Sequence, residues 1–138
     1  MAGKYTRLQL TYKIDDNEML MYRGVIQSGA GRCKVPTADN AVPLGVVDNA
    51  ELVIDALRSG GATSHLGKDI PVKVEGVAEI ELSGTCSAGD RIILKTGGFG
   101  LKCPAVAGTK YNVLGYAEVN GVDGDVIAVR MQPHIFTA

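Results

Sequence analysis

The sequence predicts a mainly β fold: one small β-barrel or sandwich-like domain, with an extended N-terminal arm and at most one short helix at about 49–59. Three observations carry this. Eighteen glycines fall in 138 residues with no Gly-x-y period, which marks many tight turns between short strands. Short strand-like runs alternate with turn signals about every 8–12 residues. And "DIPVKVEGVAEIEL" (69–82) puts Ile70, Val72, Val74, Ala78, Ile80 and Leu82 on one face of an extended strand, with Lys73, Glu75, Glu79 and Glu81 on the other.

The elements follow in chain order. "RLQLTYKI" alternates, so Leu8, Leu10, Tyr12 and Ile14 share a face and Arg7, Gln9, Thr11 and Lys13 the other. "DDNE" (15–18) breaks the run. "MLMYRGVIQ" (19–27) is a second strand, closed by Ser28-Gly29-Ala30-Gly31. "CKVP" and "AVPLGVVD" are short strands that Pro36 and Pro43 confine to edges or strand starts. "DNAELVIDALRSGG" (48–61) reads as the one helix: Asp48 or Asn49 caps it, Leu52, Val53, Ala56 and Leu57 share a face, and Gly60 suits its C-terminal end. The long strand at 69–82 follows, with a bend expected at Gly76. "RIILK", "FGLKC", "YNVLGYAEV" and "DVIAVRM" complete the set. "PLGVVDNA" (43–50) echoes "VLGYAEVN" (113–120), and each precedes a β-branched strand, which fits two related edges of one barrel.

Composition narrows the function. A chain of this length buries a core without staples. With 46% hydrophobic residues, no Trp and few aromatics, that core rests on Val, Ile, Leu and Ala. Net charge is −1 and no basic block occurs, which argues against nucleic acid as the main partner. No apolar run reaches the ~20 residues of a membrane helix, and the N-terminus has no signal-peptide pattern. Cys33, Cys86 and Cys103 are odd in number and widely spaced, so they read as buried, reduced residues of a protein made in the cytosol.

No motif points to catalysis, a cofactor or a metal. "KTGGFG" (95–100) lacks the order of a phosphate loop and no helix opens after it. "NGVDGD" (120–125) groups oxygen-bearing side chains but lacks the later carboxylate of a calcium loop, so it reads as a hairpin turn. His65 and His134 read as surface histidines, and Asp15 and Asp16 as a solvated turn. No nucleophile elbow is present. An enzyme using Cys86 or Cys103 is the weakest reading. A small carbohydrate- or ligand-binding barrel is the stronger alternative, although five Tyr and two Phe leave little material for an aromatic-lined concavity.

Four segments together resemble the small capsid decoration, or cement, proteins of tailed bacteriophages. They are "AVPLGVVDNA", "IPVKVEGVAEIELSGTCSAGDRIILKTGG", "NVLGYAEV" and "DGDVIAVRM", in that order over most of 41–132. The shared patterns are a hydrophobic-Leu-Gly-Val strand, V-x-V-x-G-V-A, the S-A-G-D turn and a closing G-D-x-I-x-V strand. Residues 48–68 form a longer connection than is usual in that family. The resemblance implies a compact β-barrel that trimerises on the capsid exterior, in the virion, and locks neighbouring major capsid protein subunits against the pressure of packaged DNA. It implies as partners the major capsid protein and two further copies of the chain, with no nucleic acid, membrane or cofactor. It also implies an N-terminal arm over residues 1–16, ahead of a barrel domain at 17–138. On that reading Leu8, Leu10, Tyr12 and Ile14 form a protein interface by adding a strand to a neighbour's edge. The same residues can instead pair within the chain's own barrel.

Overall fold

The computed structural model describes residues 5–48 and 65–138. Among them all regular structure is β: β1 (Tyr5–Ile14), β2 (Arg23–Gly29), β3 (Arg32–Lys34), β4 (Gly45–Val47), β5 (Asp69–Glu81), β6 (Arg91–Leu94), β7 (Gly100–Lys102), β8 (Lys110–Ala117) and β9 (Val126–Thr137). The helix expected at 49–59 lies outside the described residues.

The strands form one sheet in the order β1-β3-β2-β4-β5-β9-β8-β6-β7, with β1 also paired to β5. That extra pairing closes β1, β3, β2, β4 and β5 into a ring. A second ring runs from β5 through β9, β8, β6 and β7, and closes where Leu82, just past β5, bridges Gly100 in parallel. The long strand therefore serves both rings, its first half in one and its second half in the other. Closure removes most free edges, the recurring liability of small β folds.

The rings are built alike. In the first, β1 pairs β3 in parallel, and β2 lies antiparallel to both β3 and β4. In the second, Leu82 bridges β7 in parallel, and β6 lies antiparallel to both β7 and β8. The turn bonds repeat too. Ile14 N–H donates to Lys68 C=O and Gly67 N–H to Ile14 C=O; Leu82 N–H donates to Asp125 C=O and Gly124 N–H to Leu82 C=O. Tyr22 N–H donates to Val47 C=O as Gly89 N–H does to Ala117 C=O. The echo thus places β4 and β8 in two successive rings and not on two edges of one. Gly45 and Gly115 hold matching places, and a Cβ at either would overlap the carbonyl oxygen of the neighbouring strand, at Lys73 and Arg130 respectively.

Three apolar clusters hold the molecule. One fills the first ring with Ile14, Met19, Val25, Cys33, Val47, Ile70 and Val72. The largest fills the second with Ile80, Leu82, Ile92, Leu94, Leu114, Ile127 and Val129, and includes Val46 from β4. A third, around Ile93, Cys103, Tyr111 and Val113, lies on the other side of β6 and β8. All three cysteines are buried and free.

Several expectations need correction. The charged side of β5 is not all solvated: Lys73 is 1% exposed, and its Nζ sits 2.9 Å from the buried Asp48 carboxylate and 3.1 Å from Val77 C=O. Lys73 lies opposite Val46 of β4, which packs in the second-ring cluster, while its neighbour Val72 faces the first-ring cluster, so this stretch of β5 is covered on both faces. His65 is buried and not on the surface; its Nδ1 accepts the Met19 N–H at 2.8 Å. Met19–Tyr22 is not part of β2: Met21 and Tyr22 form a turn before it, with Tyr22 at φ 61°, and Met19 lies in the core. The last strand runs on to Thr137; Pro133, which cannot join a ladder, falls where the β8–β9 register slips.

Candidate interaction surface

β1 lies along β5 of its own chain, with Tyr5 opposite Val77 and Lys13 opposite Asp69. Of the two arrangements open to this segment, the structure has pairing within the chain. Ile14 is buried in the first ring and Tyr12 packs half-buried beside it. Leu8 and Leu10 remain 41% and 42% exposed, and Tyr5 64%. Register shifts on either side of Leu8 set it apart from the rest, whereas Leu10 and Tyr12 keep regular register opposite Val72 and Ile70. The structure therefore separates the four predicted interface residues: Leu8 and Leu10 stay exposed, Leu10 on the side that Val72 and Ile14 bury, while Ile14 serves the core.

The strand register assembles a surface that the sequence conceals. Arg91 of β6 lies opposite Tyr116 of β8, Tyr116 opposite Arg130 of β9, Arg130 opposite Val77 of β5, and Val77 opposite Tyr5 of β1. Directly opposed residues project to the same side of a sheet, so these form one row across five strands, roughly 19 Å at ~4.8 Å per strand. The Arg91 guanidinium stands 5.7 Å from the Tyr116 ring and 3.9 Å from that of Phe136. Arg130 is 5.4 Å from Tyr116 on its other side, and His134 stacks on the same ring at 5.6 Å. Beside the row, an open groove of about 580 Å³ runs between the start of β1 and the middle of β9, lined in part by Tyr5, Arg7, Glu75, Met131 and Pro133. Few aromatics are present in the chain, yet three aromatic or imidazole rings meet here with two guanidinium groups. Tyrosine and arginine are the side chains on which protein interfaces concentrate their energy.

The candidate chemical groups have other employment. Asp90 and Asp125 each accept the backbone N–H three residues earlier, at 2.8 and 2.9 Å, and so tie off the two x-x-Gly-Asp turns. In each turn the glycine adopts positive φ, 90° at Gly89 and 87° at Gly124, as a type II turn requires. Asn120 and Asp123 accept the N–H groups of Ala88 and Gly84. The oxygens of "NGVDGD" thus stitch one turn to another. Asp16 accepts the Val35 N–H, and Asp15 faces Arg32 at 3.8 Å. Burial, followed by Asp16 and Asp15, pushes the Cys33 thiol up to about 11; burial likewise raises Cys86, with Asp90 adding to it. Both shifts favour the thiol over the nucleophilic thiolate.

No family of known proteins matches the sequence, and neither does any curated protein. Among solved structures, the chain resembles the N base of the head fiber protein gp8.5 of bacteriophage phi29. The TM-score is 0.60 at 15% identity, over 91% of this chain and 93% of that one. At this identity the likeness is one of fold, and it runs over nearly the full length of both chains.

Proposed function

We propose that the chain is a structural protein of a tailed-bacteriophage virion, seated on the outside of the head. In this role it binds the major capsid protein as a homotrimer, bridges neighbouring subunits and stabilises the shell. It is made in the host cytoplasm, and the role calls for no catalysis, cofactor, nucleic acid or membrane.

The observation that carries the reading is the fold likeness to a phage head protein over nearly the full length of both chains. A separate route, the resemblance carried by the ordered motifs of residues 41–132, also leads to a phage head. The physics suits the role. A protein that binds only the assembled shell stabilises it by mass action, and many repeated contacts add through multivalency. The row from Arg91 to Tyr5 supplies a contact face of suitable composition.

The test is quantitative mass spectrometry of purified particles, comparing copies of this chain with copies of the major capsid protein. A ratio near one-to-one is expected for a shell-wide stabiliser. A few copies per particle would keep the head location but replace shell-wide bridging with a local attachment. Absence from the particle would defeat the proposal.

A further inference from the structure

We propose that Arg91 forms a carboxylate-binding socket that receives an acidic side chain of the shell partner; the identity of the partner, though not the socket itself, rests on the head reading above. Among the described residues, every other arginine has a carboxylate at hand: Arg7 with Glu75 at 3.4 Å, Arg23 with Glu81 at 3.4 Å, Arg32 with Asp15 at 3.8 Å and Arg130 with Glu118 at 3.0 Å. Arg91 has none. Its guanidinium carbon lies 3.9 Å from the centre of the Phe136 ring, and its Nε is closed off from water with no hydrogen-bond partner. Aromatic faces attract a cation but supply no lone pairs for its N–H donors. The terminal nitrogens are left to take an acceptor.

A cavity of about 200 Å³ opens beside this group, lined by Asp90, Arg91, Lys102, Cys103 and Phe136 among others. The one carboxylate there is already engaged: Asp90 accepts Ser87 N–H at 2.8 Å and faces Lys102 at 3.6 Å. Two cations against one engaged anion leave the cavity positive. Its volume holds several waters' worth of ligand at ~30 Å³ each, enough for a carboxylate and its stem. A planar guanidinium already fixed on an aromatic face loses little freedom on forming a forked pair, which makes it a better receptor than a lysine. The fold itself does not ask for arginine here. The matching place in the first ring is Gly24, where a Cβ would overlap the Leu94 side chain. The guanidinium therefore belongs to the open face of the second ring alone.

The socket is tested on the intact protein by NMR of the arginine Nε–H signals during titration with sodium acetate, against sodium chloride at equal ionic strength. A saturating shift of the Arg91 signal, absent at Arg7 and Arg130 and absent with chloride, is expected. A linear drift shared by all arginines overturns the socket. A second arm measures binding to shells stripped of the protein. Arg91→Gln should reduce bound copies about tenfold below saturation, the size of one charge-assisted pair, with Arg91→Lys recovering only part. Equal binding by wild type and Arg91→Gln overturns the assigned partner. If acetate saturates Arg91 while wild type ignores shells, the socket stands and the head reading falls. Should Arg91→Gln unfold, Arg91→Lys and the acetate titration decide.

Discussion

At the scale of single residues, the Lys73–Asp48 pair is where stability is most exposed. Both side chains are nearly inaccessible, at 1% and 3%, and Asp48 also accepts the Glu79 N–H at 3.1 Å. Truncating one partner of a buried pair strands the other charge away from water. Lys73→Met should therefore cost about 3–5 kcal/mol, read as a lower urea midpoint at unchanged m-value. Cys33 makes a second, pH-dependent case. Its folded pKa lies at about 11, above the ordinary 9.0, so the folded chain holds the thiol proton more tightly than the unfolded chain does. That contribution is whole below pH 9 and is lost as pH climbs through 11. Cys33→Ala should show a flatter fall of stability across this window than the wild type; parallel curves would discard the assignment. At pH 8, in the native state, Cys33 should resist alkylation until denaturant is added.

At the scale of elements, β1 joins two jobs in one strand. Gln9 to Lys13 lie opposite Lys73 to Asp69 and close the first ring, and Ile14 fills its core. Tyr5 to Leu8 add ladder bonds but little buried surface. Removing residues 1–14 would open the ring, so loss of binding in that variant would say nothing about contacts. Removing residues 1–8 spares the closure. It should leave cooperative unfolding intact at a cost of about 1–3 kcal/mol for the lost ladder bonds. Weaker binding to shells by this folded variant would assign the Tyr5–Leu8 end to the interface; unchanged binding would remove it. The anchor on the other side of this ladder is Gly76, at φ 121° with the Tyr5 carbonyl against its α-carbon, so the bend expected from the sequence is also a point of close approach.

At the scale of the whole molecule, the shared β5 and the shared core make two rings into one cooperative unit. Val46 of the first ring packs among Ile80, Ile92 and Leu94, and β5 cannot leave one ring without opening the other. Ile70→Ala, in the first ring, should cost about 2–5 kcal/mol. It should lower the unfolding midpoint equally for amide-exchange probes in β2 and in β8. Separate midpoints would show that the rings unfold independently. The repeated architecture also bears on docking. Internal duplication offers two related faces, but the place of Arg91 on the second ring corresponds on the first to Gly24, whose surroundings Leu94 and Gly98 fill. Only one ring end is therefore free to meet a partner through that position.

The alternation of β5, the x-x-Gly-Asp turns and the many glycines determined a mainly β fold with short strands, because strand period and turn chemistry are local properties of a chain. The echo of Leu44-Gly45 in Leu114-Gly115 was legible, but its meaning was not: whether two strands edge one ring or close two depends on pairings between residues far apart in sequence. The same limit hid the candidate surface. Tyr5, Val77, Arg91, Tyr116 and Arg130 share no motif, and cross-strand register alone brings them into a row. Burial was misread at Lys73 and His65 for the same reason. A strand's own pattern reports one covered face, whereas the second layer over Lys73, and the backbone N–H that His65 accepts, come from elsewhere in the chain. Local chemistry chose the elements; ring closure, a long-range event, decided which side chains face water and so where a partner can bind.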